Sequence, residues 1–248
     1  MPDDRVQLPQ GYRLASYAII DSTNTEALRL ADAGVGGNIW VWAQEQTAGR
    51  GRLDRSWQSL EGNLFASLLL YPECEPAAVS QLGFVMGNAM HDAVTDLLPP
   101  SCETKPCLKW PNDLLLGRGK AAGMLLETRG QAVAIGVGLN IADSPDGTGQ
   151  SATSLSENGI STKPDAALGA IANSFEKWRS VWNNGAGFDD IRISWLERSL
   201  PAGSHLSVHV GTQKMSGTFA GLDRTGALLL NTKDGEQKCI TAGDVFQL

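Results

Sequence analysis

The sequence predicts an α+β protein with a large domain, residues 1–200, and a small C-terminal β-barrel, residues 201–248. Between residues 108 and 141, short apolar runs alternate with turn residues, a pattern typical of consecutive antiparallel hairpins. Helical periodicity lies on both sides of this stretch. After Pro201 and Gly203, short strands return over about 45 residues, which favours a separate small barrel.

Charge and cysteine content exclude several classes of protein. The formal net charge of −7 argues against a general nucleic-acid binder, which carries a basic surplus. The positive charge is local to the motifs below, which favours a small anionic ligand. The four cysteines lack paired or Cys-x-x-Cys spacing, so we expect reduced thiols without metal. No stretch approaches the roughly 20 apolar residues of a membrane span, so we predict a cytoplasmic protein without membrane association.

The first helix is predicted to end at Gly34, and Thr23 with Glu26 has the spacing of a capping box at its start. The same helix start offers side-chain polar groups and free backbone N–H groups at Ser22, Thr23 and Asn24. These groups can bind a polar part of a ligand, and helix capping explains them about equally well.

A strand at residues 38–45 leads into an arginine-rich loop, Gln46–Trp57. Its arginines, Arg50, Arg52 and Arg55, alternate with small residues that cannot pack a core, and its glycines leave the backbone free to move. Guanidinium groups match carboxylate and phosphate oxygens, so the sequence predicts a loop that orders around an anionic small molecule. A solvated basic turn is the alternative.

The other elements are predicted from periodicity and turn residues. Residues 63–71 form a mostly apolar run, which indicates a central strand covered on both faces. Helical spacing from Pro76 to Pro99 indicates a core helix. The remaining predictions are strands at 108–110, 114–116, 121–128 and 132–141, a flexible loop at 143–149, helices at 164–182 and 188–198, and four barrel strands at 205–210, 214–222, 227–231 and 237–241.

Two further motifs place polar groups at strand ends. Lys109-Trp110-Pro111-Asn112-Asp113 holds a cation, an amide and a carboxylate, and its proline interrupts strand pairing, which directs side chains into a cleft. An ordinary Pro-Asn-Asp turn is the alternative. Lys120 follows a glycine turn and can place a charge on a carboxylate or phosphate, or stand in water as a hairpin lysine. Asn140 ends a strand and is expected to face the same cleft.

Several common motifs are absent from the sequence. No segment matches the phosphate-binding loop Gly-x-x-x-x-Gly-Lys-[Ser/Thr], and Gly136-Val137-Gly138-Leu139-Asn140 lacks the third glycine and the helix of a dinucleotide fingerprint. His205 and His209 lie on a predicted strand, and metal binding by them is not expected. We therefore assign no residue as a metal ligand.

Five motifs, taken in order, resemble those of the biotin protein ligases. They are Ser22-Thr23-Asn24, Gln46–Trp57, Lys109–Asp113, Lys120-Ala121-Ala122-Gly123 and Gly136–Asn140. The resemblance covers residues 15–248 and implies a mixed or antiparallel central sheet with helices mainly on one face, followed by an SH3-like barrel. One departure is Leu53-Asp54, which stands where many relatives continue with Arg-Gly. We expect it to alter the closed form of the loop and its contacts with phosphate.

The resemblance implies a ligase that forms a C–N bond with the cofactors ATP and Mg²⁺. Biotin and MgATP give biotinyl-5'-AMP and pyrophosphate, and the adenylate then acylates a lysine on the biotin carboxyl carrier domain of a carboxylase. Some relatives also bind DNA through an N-terminal winged helix. The 21 residues before Ser22 are too few for one, so we expect the short form without DNA binding. An edge strand can pair two subunits in a homodimer, an expectation by analogy.

The resemblance also implies roles for individual residues. Ser22, Thr23, Asn24 and Gln46 would contact biotin, while Arg50, Gly51 and Arg52 close over its carboxylate and the adenylate. Trp57 would also shield biotin, Lys120 would bridge the biotin carboxylate to the α-phosphate, and Trp195 would stack on adenine. The whole ATP site would comprise Arg52, Arg55, Trp57, Asn112, Lys120, Asn140 and Trp195. The catalytic set would be Arg50, Arg52, Lys109, Asp113 and Lys120, with Asp113 orienting or deprotonating the incoming lysine.

Two rival functions are compatible with the motifs. A ligase or transferase for lipoate or octanoate has a similar fold and chemistry, and the arginine-glycine loop favours biotin over it. A non-catalytic biotin-binding module belongs to a different class. The presence of Lys109, Asp113 and Lys120 argues against that second rival.

Overall fold

A seven-stranded mixed sheet forms the larger part of the computed structural model, which describes residues 6–53, 55–146 and 151–247. Strands β1 and β2 pair in parallel, and all other neighbours in this sheet are antiparallel. The order across the sheet is β1-β2-β3-β7-β6-β5-β4. The strands are β1 Arg13–Ile20, β2 Ile39–Gln46, β3 Leu64–Leu70, β4 Pro106–Lys109, β5 Asp113–Leu116, β6 Gly119–Arg129 and β7 Ala132–Leu139.

The helices cover the two faces of this sheet unequally. Helix α1, Thr23–Asp32, packs on one face over β2, β3 and β7. The other face carries α2 Leu82–Asp96, α3 Pro164–Trp182 and α4 Phe188–Glu197. The prediction of helices mainly on one face is thus confirmed, and part of the α1 face remains open for a ligand site.

Strand β3 is buried along its whole length, as its apolar sequence predicted. Because successive side chains point to opposite faces of a strand, Leu68 packs on the face covered by α2, α3 and α4, and Leu69 packs under α1. Ser67 lies on the α1 face and is fully buried. It is the one polar side chain in the strand.

The C-terminal module is a five-stranded antiparallel sheet in the order β11-β10-β9-β8-β12. Four strands agree with the predicted barrel, and a fifth, β12, was missed because its segment has only two apolar residues. Apolar side chains of this module pack into the same core as α2, α3 and α4 of the large domain. A hydrogen bond also joins the two parts: Trp110 Nε1 donates to Gly226 O at 3.1 Å. The strands are β8 His205–Val210, β9 Gln213–Leu222, β10 Leu228–Thr232, β11 Gln237–Ile240 and β12 Asp244–Gln247.

Three local predictions were wrong or incomplete. Strand β1 was not predicted, because it is a partly exposed edge strand without a strong apolar pattern. The Thr23–Glu26 capping box does not form: Ser22 occupies the N-cap position without a side-chain capping bond. The helix predicted from Pro76 begins with a 3₁₀ turn, Pro76–Gln81, and becomes α-helical at Leu82. Residues 147–149 of the predicted flexible loop lie outside the described residues.

The cysteines are free thiols, as expected. Among the described residues, no helix is both long and apolar enough to traverse a lipid bilayer.

Candidate active site

A cavity of about 480 Å³ lies on the α1 face of the large sheet, beyond the N-terminus of α1. The arginine loop covers it, strands β6 and β7 form its floor, and the start of β12 reaches it from the C-terminal module. Of the residues predicted for the site, all but Lys109 and Trp195 line this cavity. The lining residues predicted from the sequence are Ser22, Thr23, Asn24, Gln46, Arg50, Gly51, Arg52, Arg55, Trp57, Asn112, Asp113, Lys120 and Asn140.

One wall of the cavity is formed by Ser22, Thr23 and Asn24 at the start of α1 together with Gln46. Its side chains are polar and are held in one orientation by hydrogen bonds. The backbone N–H and the hydroxyl of Thr23 both donate to Gln46 Oε1, at 2.8 and 3.1 Å. Beneath them, Ser67 Oγ lies 2.7 Å from Thr23 Oγ1 and 2.6 Å from Asn24 Oδ1. Sequence reasoning missed Ser67, because one serine in an apolar strand gives no signal until α1 is placed against that face.

Asn24 has its amide orientation fixed from both ends. Its nitrogen donates to Glu127 Oε2 at 2.7 Å and to Leu125 O at 3.2 Å, so both N–H groups are used. Its oxygen accepts from Ser67 and keeps a second lone pair. Because Gln46 Oε1 already accepts two hydrogen bonds, Gln46 offers its Nε2 donor. The wall therefore presents a fixed acceptor at Asn24 and a fixed donor at Gln46.

Glycines form the floor because no larger residue fits there. A Cβ atom at Gly138 would lie 2.4 Å from the Trp57 ring, and one at Gly136 would lie 2.5 Å from Asn24 Oδ1. A Cβ at Gly123 would lie 3.0 Å from both Lys120 Nζ and Trp57. These glycines thus set the depth of the cavity. They belong to the motifs quoted from the sequence, but nothing in the sequence placed Trp57 on them.

Replacing Gly138 with alanine is expected to displace Trp57 from the floor. The added methyl group cannot coexist with the present ring position, so we expect binding of a small anionic ligand to weaken by tenfold or more, on the order of 1.4 kcal/mol. Isothermal titration with the ligand measures this. Gly36→Ala is the matched control, because its Cβ would meet nothing nearer than Arg13 Nη2 at 4.0 Å. Equal affinities for Gly138→Ala and the parent would contradict this description of the floor.

The cationic side of the cavity is organised around Asp113, which is buried between two lysines. Its carboxylate contacts Lys109 Nζ at 2.9 Å and Lys120 Nζ at 2.7 Å. Burial alone would raise the pKa of Asp113, but the two ammonium groups hold it below its usual value of 3.8. A carboxylate in this state is a poor acceptor for the proton of an ammonium group. The Asp113 carboxylate thus holds both lysine ammonium groups in place, and its role of orienting or deprotonating the incoming lysine stays a prediction.

Lys109 and Lys120 differ in their access to the cavity. Lys109 is buried behind Asp113 and does not line the cavity, so the structure does not bring it to a ligand as its predicted catalytic role requires. Lys120 lines the cavity, with Nζ 5.5 Å from the centre of the Trp57 ring. Lys120 is thus the ammonium group that can reach a ligand.

The arginine loop forms a short hairpin over the cavity. Arg50 forms a β-bridge with Ser56, and Trp57 N donates to Gly49 O at 2.9 Å. Leu53 at its tip is 71% exposed and has a positive φ of 53°. This left-handed conformation is unfavourable for leucine, and glycine would adopt it readily. Leu53 is the first residue of the Leu53-Asp54 pair that departs from the family pattern. The second residue, Asp54, lies outside the described residues.

Each arginine of the loop has a different partner. Arg50 Nη2 contacts Glu127 Oε2 at 2.9 Å, and Arg55 Nη2 contacts Asp244 Oδ1 at 2.7 Å. Arg52 Nη1 donates to Gly243 O at 3.1 Å, and burial lowers the pKa of its guanidinium group. The loop is thereby attached both to β6 and to the C-terminal module. The contacts with the C-terminal module were not predicted from the sequence.

Trp195 was predicted to stack on adenine, and the structure does not bring it to the site. Its side chain is 2% exposed and packs edge-on against Phe84, at 5.6 Å between ring centres. It also sits over Gly87 of α2, away from the cavity lining. A tryptophan already enclosed by the core has no face to offer a nucleotide, so this prediction was wrong.

Several lining residues were not predicted as site residues. Half of them lie inside the quoted motifs, where no role was assigned to them. The others follow a motif directly or lie farther along the chain, and they give little signal in the sequence. They are Ser56, Gln58, Trp110, Pro111, Gly123, Met124, Leu125, Gly136, Val137, Gly138, Pro145, Ala152, Asp244 and Val245.

Comparison with known proteins places this site in context. A model of the biotin/lipoate A/B protein ligase family matches residues 16–140, and a model of the biotin protein ligase C terminal domain matches residues 203–247. The chain is 40% identical over 237 residues to a biotin–[acetyl-CoA-carboxylase] ligase of Paracoccus denitrificans, covering 91% of this chain and 97% of that protein.

Solved structures of biotin protein ligases are also similar to this chain. A biotin protein ligase from Aquifex aeolicus, in complex with biotin and ATP, superposes with a TM-score of 0.81 and 27% identity, covering 95% of this chain and 99% of that one. A biotin protein ligase from Leishmania major, in complex with biotinyl-5-AMP, superposes with a TM-score of 0.64 and 25% identity, covering 92% and 98%.

Proposed function

This chain belongs to the biotin/lipoate A/B protein ligase family, and we propose that it is an ATP-dependent biotin protein ligase. It activates biotin as biotinyl-5'-AMP and transfers the biotinyl group to a lysine of a carboxylase carrier domain. The observation that carries this proposal is one cavity lined both by a fixed polar wall, Ser22 to Asn24, and by a group of cations that includes Arg52 and Lys120. The wall suits an uncharged polar ring, and the cations suit a carboxylate and phosphates.

The polar wall favours biotin over lipoate or octanoate. A ureido ring has two N–H donors and one carbonyl acceptor, which match an acceptor at Asn24 Oδ1 and a donor at Gln46 Nε2. A dithiolane ring or an alkyl chain has no such groups and would leave buried polar atoms without partners. A site built to hydrogen-bond its substrate rejects analogues that lack those groups strongly. The wall is therefore the specificity element of the cavity.

The first step joins two anions, and the cations make their approach possible. Two like unit charges about 4 Å apart repel by ~4 kcal/mol at an effective dielectric near 20. Lys120 can contact both the carboxylate of biotin and the α-phosphate, and Arg52 lines the same cavity. Positioning and electrostatic stabilisation suffice for attack of the carboxylate on the α-phosphate. The bond between the α- and β-phosphates breaks, and pyrophosphate leaves.

The lining residues fit a nucleotide that carries its own Mg²⁺. The described residues contain no cluster of three or more His, Cys, Asp or Glu side chains that would hold a metal ion alone. Mg²⁺ is commonly bound through phosphates, waters and one or two protein groups, where it neutralises phosphate charge. Asn112 and Asn140 would help to hold the nucleotide and its metal. Asn140 Nδ2 donates to Thr153 O at 3.1 Å and to Lys120 O at 3.3 Å, which leaves its carbonyl oxygen to offer.

Other expectations belong to this proposal. A carrier domain is the expected protein partner, and its lysine would enter beside Asp113. The edge strands of the large sheet are β1 and β4, and β4 is already bridged at Leu108 to Ser199, so β1 is the edge more open to pairing in a homodimer. The free cysteines are in keeping with a cytoplasmic location. We place the boundary between the large domain and the C-terminal module between residues 200 and 201, where the short strands of the module begin to follow the last helix.

The proposal is tested by assaying pyrophosphate release from MgATP with biotin, lipoate or octanoate, followed by mass spectrometry of an apo carrier domain. We expect release and carrier modification with biotin alone. A carrier in which the target lysine is replaced by arginine is the control and should remain unmodified. Release with lipoate alone would refute the substrate, and biotin binding without release or transfer would indicate a non-catalytic binding module.

Arg52→Ala is expected to weaken retention of biotinyl-5'-AMP. The Arg52 guanidinium group lines the cavity and is held by Gly243 O, so its loss removes one attachment of the loop and one cation near phosphate. We expect the adenylate to dissociate on the order of tenfold faster, as for loss of one charge-assisted hydrogen bond. Stopped-flow displacement measures this rate. Arg224→Ala, on an exposed turn, should match the parent, and an unchanged rate in Arg52→Ala would show that the loop acts without this residue.

A further inference from the structure

Glu127 is a carboxylate next to the site that does not itself line the cavity. It lies near the end of β6 with its side chain 25% exposed. Two neighbours, Asn24 and Arg50, do line the cavity, and they come from different elements, α1 and the arginine loop. Glu127 contacts both of them.

Both contacts are made by one oxygen atom of this carboxylate. Glu127 Oε2 accepts from Asn24 Nδ2 at 2.7 Å and from Arg50 Nη2 at 2.9 Å. Arg50 Nη2 also donates to Thr25 Oγ1 at 3.2 Å, which holds the guanidinium group against the first turn of α1. The side chain of Arg50 is 42% exposed, so without these partners it would be free to move in solvent.

The contacts join into a continuous chain of hydrogen bonds. It runs from buried Ser67 through Asn24 and Glu127 to Arg50. A carboxylate accepts hydrogen bonds and does not donate them, so Glu127, together with Leu125 O, keeps the nitrogen end of the Asn24 amide turned toward β6. The same oxygen fixes where the Arg50 guanidinium group stands. One oxygen atom thus contacts both the pocket wall and the loop. Leu125 O is the other acceptor for Asn24, and Thr25 Oγ1 is the other acceptor for Arg50.

We propose that Glu127 is a positioning residue that couples the ligand-binding wall to the arginine loop. Through Asn24 it keeps an acceptor directed at the ureido ring, and through Arg50 it holds the loop over the cavity. This proposal rests on the proposed function for the identity of the ligand. Its structural part, the tethering of the loop, does not depend on that identity.

Two substitutions separate geometry from charge. Glu127→Ala removes both hydrogen bonds, and we expect the KM for biotin and the dissociation rate of the adenylate to rise on the order of tenfold, with a smaller change in kcat. Glu127→Gln can place its amide oxygen where Oε2 stands and keep both bonds, so we expect values within about threefold of the parent. Near-parent values for the glutamine variant would show that the role of Glu127 depends on the shared hydrogen-bond acceptor and not on the negative charge.

Limited proteolysis gives a readout that needs no substrate. Trypsin cleaves after arginine, and the loop offers Arg50, Arg52 and Arg55. We expect Glu127→Ala to be cut in the loop several times faster than the parent in the absence of ligand, and Glu127→Gln to be cut at nearly the parent rate. If the parent releases no pyrophosphate with biotin, the proposed function fails and the proteolysis comparison alone decides the role of Glu127.

Asp32→Asn is the matched control. Asp32 pairs with Arg129, so this substitution breaks another ion pair between α1 and β6 without touching the loop or Asn24. It should leave KM, adenylate dissociation and loop cleavage unchanged. The proposal is overturned if Glu127→Ala matches the parent in all three measurements, if Asp32→Asn reproduces its effects, or if Glu127→Gln is as impaired as Glu127→Ala.

Discussion

Lys120→Ala is expected to suppress formation of biotinyl-5'-AMP by on the order of 100-fold or more, the cost typical of losing one group that stabilises transition-state charge. Lys120 is the lysine that lines the cavity, and Asp113 holds its ammonium group at 2.7 Å. Without it, the biotin carboxylate and the α-phosphate would meet with no ammonium group between them. Single-turnover pyrophosphate release with biotin in excess measures the chemical step.

The matched control for Lys120→Ala is Arg118→Ala, which removes an exposed cation two residues earlier, in the turn before β6. It should release pyrophosphate at the parent rate, since a distant surface charge is screened by salt. Circular dichroism checks that both variants fold. Parent-like single-turnover release by a folded Lys120→Ala protein would show that the cationic side of the site is misplaced.

Asp113→Asn is expected to lower both stability and activity. The substitution leaves two buried or partly buried ammonium groups without their carboxylate, and breaking a buried ion pair in this way costs about 3 kcal/mol or more. Lys120 also loses the partner that aims it at the ligand, so adenylate formation should fall with stability. Urea unfolding at pH 7 and single-turnover pyrophosphate release measure the two effects.

The stability effect of Asp113 has a defined pH dependence. The pKa of this carboxyl group is lower in the folded protein than its usual 3.8, because Lys120 and Lys109 outweigh the cost of its burial. Its contribution is therefore fully present above pH 3.8 and is lost as the pH falls through the lower folded value. We expect the stability difference between the parent and Asp113→Asn to be constant near neutrality and to shrink below pH 3.8.

Asp189→Asn serves as the control for this series. Asp189 is largely exposed and pairs with Arg192, so its loss should change stability by less than about 1 kcal/mol. It should not alter pyrophosphate release. A stability loss no larger for Asp113→Asn than for Asp189→Asn would contradict the buried ion-pair arrangement.

The sequence by itself determined the parts of the protein that depend on local patterns. Apolar runs and turn residues predicted β3, the hairpins from β5 to β7, helix α3 and most of the C-terminal strands. Five short motifs, read in order, predicted nearly all of the polar groups that line the cavity. These features can be predicted from the sequence because the burial pattern of a segment and the type of a turn depend on residues that are neighbours along the chain.

The tertiary structure decided what depends on contacts between distant segments. It placed Ser67 under Asn24, put Trp57 on Gly138, and enclosed Trp195 in the core away from the ligand. It also placed Glu127 between the wall and the loop. No local pattern encodes such pairs, because partners more than 40 residues apart meet only when the sheet brings their strands together.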